Sequence, residues 1–174
     1  MSKTTTDEEQ RQSHRPGEPH ATGTATLEGK YLTFHLGPEV YGIDIIKIRE
    51  IIGIMPITPV PDMPDDAKGV INLRGRVIPI IDLRRRFAMQ ETPATDRTCI
   101  IVVEVVNGDH RHRTTGIIVD SVAEVATIKD AVIEEPPALS SGPDTSFILG
   151  MAKLDDGVKI LLDIDRILGR QQSP

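Results

Sequence analysis

The chain has 174 residues, 39% of them hydrophobic, enough for one large domain or two small ones around a buried core. Lys and Arg number 20 against 26 Asp and Glu, a formal net charge of −6, so no dominant cationic field is available to drive nucleic-acid binding. Aromatics are 3% with no Trp, and there is a single Cys, which predicts an aliphatic core biased toward strands, no internal disulfide and a reducing compartment.

Residues 1–26 are Thr, Glu, Gln, His, Gly and Pro with little to bury, and read as a disordered tail in which His14 and His20 are solubilising. The amino terminus lacks the basic-then-apolar order of a signal peptide. No apolar run approaches the roughly 20 residues of a spanning helix, so the expectation is a soluble intracellular protein without direct membrane insertion. From Leu27 the character changes. Tyr31 and Thr33 alternate with Leu32, Phe34 and Leu36, the period of a half-buried strand. Gly37-Pro38 turns the chain, Asp44 caps a short helical turn from Ile45 to Arg49, and EIIGIM and ITPV read as extended segments. Pro59, Pro61 and Pro64 bracket a rigid loop, after which Asp65 and Asp66 start one more turn.

The stretch 69–87, GVINLRGRVIPIIDLRRRF, is the organising element. Val70 to Leu73 and Val77 to Ile81 form two short strands, and Arg74-Gly75 between them sits where a hairpin needs positive φ. Pro79 has no N–H to donate, which leaves one side of the second strand unpaired along part of its length. Further on, Thr98 to Val106 is a strand covered on both faces, Asn107-Gly108 a reversal, and TTGIIVD and AEVATI are strands. A loop runs from Glu135 to Asp144. ILGMAKL and VKILLDI then make a second hairpin around Asp155-Asp156-Gly157, and a short helix ends the chain from Asp163 to Gly169.

Two parts of the chain repeat. Residues 69–87 align with 150–168, placing Gly69 on Gly150, Leu73 on Leu154, Val77 on Val158 and Asp82 on Asp163. Upstream, 42–51 aligns with 116–125, placing Gly42 on Gly116 and Glu50 on Glu124. The first offset exceeds the second by the length of a surface-loop insertion, which costs little. Two copies of one small β unit follow, each with about five short strands, which suits a closed or nearly closed barrel.

Catalytic templates are unfilled: no phosphate-binding Gly loop, no HExxH, no CxxC and no GxSxG. His110 and His112 are the one candidate pair of metal ligands, but the interleaved Arg111 and Arg113 oppose a cation and favour a solvated hairpin tip. Asp82 and Asp163 suit helix N-caps better than paired catalytic acids. Arg84, Arg85 and Arg86, without stacking aromatics, read as a solvated or protein-contacting face. Glu50 and Arg74 are charged residues set among apolar ones. If the fold brings them together beside an exposed Ile48 they form a recognition surface, and otherwise a surface ion pair.

At these residues the sequence resembles the CheW family of bacterial chemotaxis coupling proteins. YGIDIIKIREII, ITPVP and GVINLRGRVIPIIDLRRRF are similar to the family's signature in order and spacing, and GIIVDSVAEV with ILGMAKLDDGVKILLDIDRIL to its second half. The resemblance covers Leu27 to about Arg170. It departs at Ala67, where a larger apolar residue is common, and at the basic HRHR tip. It implies an all-β fold with short helices: two SH3-like five-stranded barrels packed in one CheW-like domain, approximate halves 27–95 and 96–170, with strand exchange between them left open.

It also implies a non-enzymatic adaptor without cofactor or metal. Its partners are the cytoplasmic tip of methyl-accepting chemoreceptors and the regulatory domain of the histidine kinase CheA, in cytoplasmic arrays at the membrane. Carried over by position, receptor contact falls on Ile48, Glu50 and Arg74, with Gly69, Asn72 and Gly75 shaping the turn, and kinase contact on Ile57 and Thr58. A chemosensory pathway other than flagellar chemotaxis fits the same residues, and a ligand- or metal-binding β-barrel is the distant alternative.

Overall fold

β-Branched and leucine side chains at alternating positions build eleven strands among the residues that the computed structural model describes, 26–137 and 146–169. The strands are β1 (Gly29–Leu36), β2 (Glu39–Asp44), β3 (Ile48–Gly53), β4 (Ala67–Leu73), β5 (Arg76–Asp82), β6 (Cys99–Val106), β7 (His112–Val119), β8 (Ser121–Ile128), β9 (Ile133–Glu134), β10 (Ile148–Leu154) and β11 (Gly157–Leu162). Helix α1 (Leu83–Arg86) follows β5, α2 (Ile164–Gly169) follows β11, and two 3-10 turns cover Ile45–Lys47 and Asp130–Val132. The expectations for the tail and for most of the 135–144 loop lie outside the described residues. No described helix is long and apolar enough to cross a membrane.

The strands form two sheets, in the orders β8-β1-β2-β11-β10-β9 and β3-β6-β7-β5-β4. The sequence repeat maps one onto the other. Ile80 pairs with Gly116 in the parallel β5–β7 ladder, and the repeat-equivalent Leu161 pairs with Gly42 in the β11–β2 ladder. Register shifts fall between Ala67 and Gly69 in one hairpin and between Ile148 and Gly150 in the other. Each sheet therefore takes its central hairpin, β6–β7 or β1–β2, from the opposite repeat. One sheet has the five strands expected of it. The other gains the two-residue β9, whose counterpart is the isolated bridge between Thr58 and Val70.

Three aliphatic clusters result. Ile71, Ile78, Ile80, Ile100 and Val102 fill the five-stranded sheet, and Tyr31, Ile128, Ala152 and Leu161 fill the six-stranded one. A larger cluster, including Leu32, Phe34, Ile81, Ile101, Ile117, Leu162 and Ile167, lies between the sheets. With apolar matter on both faces, β1 is not half-buried. Tyr31 and Thr33 are as enclosed as Leu32 and Phe34, and the Thr33 hydroxyl donates to the Glu124 carbonyl at 2.8 Å. β6 is covered on both faces, as its unbroken apolar run predicts. Gly116 allows close packing of β7 on β5 and β6, since a Cβ there would lie 2.5 Å from Ile80 Cδ1 and 2.8 Å from Ile100 Cγ2. Phe34, Tyr41, Phe87 and Phe147 stack in a row, with centroids 6.0, 5.5 and 5.2 Å apart, and tie β1 and β2 to α1.

Pro79 lies within an interior strand, yet β7 meets β5 only from Ile80 onward, so the missing N–H faces no ladder. Asp82 and Asp163 cap their helices, with Oδ1 accepting from Arg84 N at 2.9 Å and from Arg166 N at 3.1 Å. The 3-10 turn capped by Asp44 ends at Lys47, two residues earlier than the sequence suggests. Asp65-Asp66 forms a plain turn, with Ala67 N donating to Pro64 O. The reversal after β6 is longer than Asn107-Gly108: Asn107 N bonds to Arg111 O, and His110 takes a positive φ of 61°.

The three consecutive arginines are a correction to the sequence reading. Arg84 grips Asp120 through two nitrogens at 2.8 and 2.5 Å, Arg85 pairs with Glu91, and Arg86 with Asp66. Asp120 also accepts from Gly37 N at 2.7 Å, so Arg84 clamps α1 to the turn between β1 and β2. Lys47 and Asp165, at 2.6 Å, make a second clamp of opposite polarity at α2.

Candidate protein-recognition surface

In β3 the ladder to β6 slips by one residue. Ile48 faces Val103 and Glu50 faces Val102, which leaves Arg49 as the extra residue of a bulge. The bulge brings Arg49 and Glu50 to the open end of the five-stranded sheet, opposite the tip of the β4–β5 hairpin. At that tip Arg74 and Gly75 both have positive φ, 52° and 83°, the mirror-image turn whose twist matches the flanking strands. Gly75 meets the conformation without a Cβ penalty, and Asn72 Oδ1 holds the turn by accepting from Gly75 N at 2.9 Å.

The turn aims Arg74 at Glu50. The guanidinium donates through two nitrogens to the two carboxylate oxygens at 2.9 and 2.8 Å, a fork-to-fork geometry. That hydrogen-bonded arginine holds the Glu50 carboxyl below the usual carboxylate range, and Glu50 raises Arg74 in return. The Arg74 side chain is 74% exposed. Solvent screens such a pair, so it sets geometry more than stability. Beside it, Glu104 accepts from Arg49 and, at 2.6 Å, from His112 Nδ1. Arg49, Glu50, Arg74, Arg76, Glu104 and Thr114 rim a depression of about 450 Å³ floored by Leu73, Ile78 and Val102.

The residues inferred for this surface do not all stand together. Glu50, Asn72, Arg74 and Gly75 do. Ile48 is not the exposed anchor expected of it: it is half-buried and packs on the central cluster. Gly69 does not shape the turn. It sits at the bulge near the start of β4 with φ of 142°, and a Cβ there would lie 2.1 Å from the Thr58 carbonyl oxygen. It therefore belongs with Thr58, whose N–H and C=O both bond to Val70 at 2.9 Å. Thr58 cannot offer its own backbone to another strand. Ile57 is half-buried against the cluster inside the five-stranded sheet, while Ile54 and Val60 flank this edge exposed.

Two apolar residues that periodicity does not single out are openly presented: Ile46 at 76% exposure in the 3-10 turn and Val77 at 71% beside the hairpin tip. The signal for Ile46 is its place just after the Asp44 cap, in a turn too short to bury successive side chains. His110 lies in the turn before β7, and only His112 is on the strand, so the two imidazoles do not share a strand face. Among the described residues no group of three His, Cys, Asp or Glu is placed to hold a metal.

Comparison with known proteins adds a family to this geometry. The CheW-like domain matches residues 30–172. The chemotaxis protein CheW of Klebsiella aerogenes is 37% identical over 147 residues, 84% of this chain and 86% of that protein. The probable chemotaxis protein CheW of Rhizobium etli is 34% identical over 142 residues, 82% of this chain and 88% of that protein. Among solved structures, the scaffolding protein TtCheW from Thermoanaerobacter tengcongensis superposes with a TM-score of 0.72 at 36% identity, covering 84% of this chain and 98% of that one. The chain belongs to the CheW-like family.

Proposed function

We propose that this CheW-like chain is a chemotaxis coupling adaptor, which holds the cytoplasmic tip of a chemoreceptor and the regulatory domain of a CheA-type histidine kinase together without covalent chemistry. It works in the cytoplasm, recruited to receptor arrays, and takes no cofactor. The Glu50–Arg74 pair carries the reading, because it sits exposed at a hairpin tip where the fold does not require it. In the second copy of the same hairpin, Arg74 is replaced by Asp155. The turn forms there without the arginine.

Receptor contact is assigned to Glu50, Arg74 and the turn set by Asn72 and Gly75, with Ile48 supporting them from behind. Kinase contact is assigned to the Ile57–Thr58 edge, which Gly69 lets lie against β4. Both surfaces then bear on one strand. Gly69 and Val70 meet Thr58, and β4 runs on from there into the hairpin tip, a distance of only about 10–15 Å at strand rise. A partner that shifts the hairpin acts on the strand carrying the other contact, and by linkage the effect is mutual.

The test is binding of the full chain to a chemoreceptor signalling fragment and, separately, to the kinase regulatory domain. Arg74→Glu is expected to weaken the receptor complex about tenfold or more, leaving the kinase complex and the melting temperature nearly unchanged. The swapped pair Glu50→Arg with Arg74→Glu restores the ion pair without restoring receptor binding. Unchanged receptor affinity in Arg74→Glu would remove this surface from the receptor contact.

A further inference from the structure

The depression behind the hairpin tip holds one charge that no other described residue answers. On its rim, Glu50 is engaged by both terminal nitrogens of Arg74, and Glu104 by Arg49 and His112. Arg76 is exposed and makes no hydrogen bond or ion pair among the described residues. The floor beneath is aliphatic: the half-buried Leu73 presents its side chain there, over the buried Ile78 and Val102. A concave apolar floor with a few convergent polar groups is the ordinary form of a recognition pocket. The repeat serves as an internal control: the position of Arg76 is Gly157 in the other hairpin, so the fold does not need a cation there.

We propose that this depression receives an acidic segment of the partner bound at the β4–β5 hairpin, with a carboxylate pairing to Arg76 and an adjacent aliphatic side chain resting on Leu73. The inference rests on the reading that this hairpin faces the receptor. Both rim glutamates are already committed, so an incoming carboxylate meets a free guanidinium and no free anion. A planar fork suits a carboxylate better than an ammonium does, which makes Arg76 a specificity-determining residue and not only a source of charge. The acidic turn Asp155-Asp156 of a second copy of this chain is the rival occupant.

The experiment titrates the full chain against a chemoreceptor signalling fragment by calorimetry at low and high salt, with Arg76→Glu, Arg76→Lys and Arg74→Glu, and follows each protein alone by sedimentation. Arg76→Glu is expected to bind about tenfold more weakly and Arg76→Lys about two- to fivefold more weakly, with affinity falling as salt rises in the wild type but not in Arg76→Glu. If Arg76→Glu binds as the wild type does while Arg74→Glu fails, the pocket is not used and the receptor reading survives. If neither variant changes binding, both are lost. Loss of self-association in Arg76→Glu, with receptor affinity intact, would assign the pocket to a second copy and overturn the proposal.

Discussion

Gly69 shows how one residue fixes the edge of a sheet. Its φ of 142° is open to glycine and strained for any other residue, and the Thr58 carbonyl oxygen occupies the space a Cβ needs. Gly69→Ala is therefore expected to cost roughly 2–4 kcal/mol and to lower the melting temperature by about 5–12 °C. Gly53→Ala, in β3 with no heavy atom near the added Cβ and no positive φ, is the control and should be close to neutral. Thermal melts of the two variants decide it, and equal loss in both would show that the Thr58 contact is not what constrains Gly69. The glycine itself is legible in the sequence, because it repeats at Gly150, but its partner is not. Thr58 lies across a proline-rich loop whose path no local pattern specifies.

The clamp between α1 and the β1–β2 turn belongs to the scale of whole elements. The Arg84 guanidinium holds the Asp120 carboxyl below the usual carboxylate range, with the Gly37 N–H adding to the effect against the opposing influence of burial. A carboxyl whose folded pKa is depressed stabilises the native state above its unfolded value, about 3.9, and loses that contribution as pH falls toward the folded value. Asp120→Asn is thus expected to be less stable than the wild type at pH 7, the gap narrowing as pH drops below about 4. Urea melts across that range measure the gap. A gap independent of pH would mean that the ion pair contributes nothing and that only the hydrogen bond to Gly37 matters.

Element scale is also where sequence reading did best and where it failed. Strands, hairpins, both helix caps and the repeat were legible because each depends on residues close in the chain. Arg84, Arg85 and Arg86 misled because nothing local announces that Asp120, Glu91 and Asp66 converge on them. Ile48 misled for the same reason, since burial at a bulge depends on what packs behind it. The Glu50–Arg74 contact could be posed from sequence only as a conditional. It needed the bulge in β3 and the left-handed Arg74 to become a bidentate pair.

At the scale of the molecule the two repeats are not two separate sheets. The five-stranded sheet has β6 and β7 at its centre, between β3 and β5, yet both come from the second half of the chain. The six-stranded sheet likewise has β1 and β2 between β8 and β11. A fragment ending near residue 95 would keep β3, β4 and β5 without the hairpin that joins them, and its Ile71, Ile78 and Ile80 would face water in place of Ile100 and Val102. Burial of that aliphatic surface is the main force available to a chain this poor in aromatics, so neither 27–95 nor 96–174 is expected to fold alone. Mixed together, the two should regain dispersed amide resonances and a cooperative melt, because each sheet needs strands from both and no backbone continuity at residue 95 is required by the pairing. Either half folding by itself, seen as a dispersed spectrum in isolation, would mean that its strands can pair in an order other than the one observed. In that case the exchange of hairpins is an alternative arrangement and not the condition for stability.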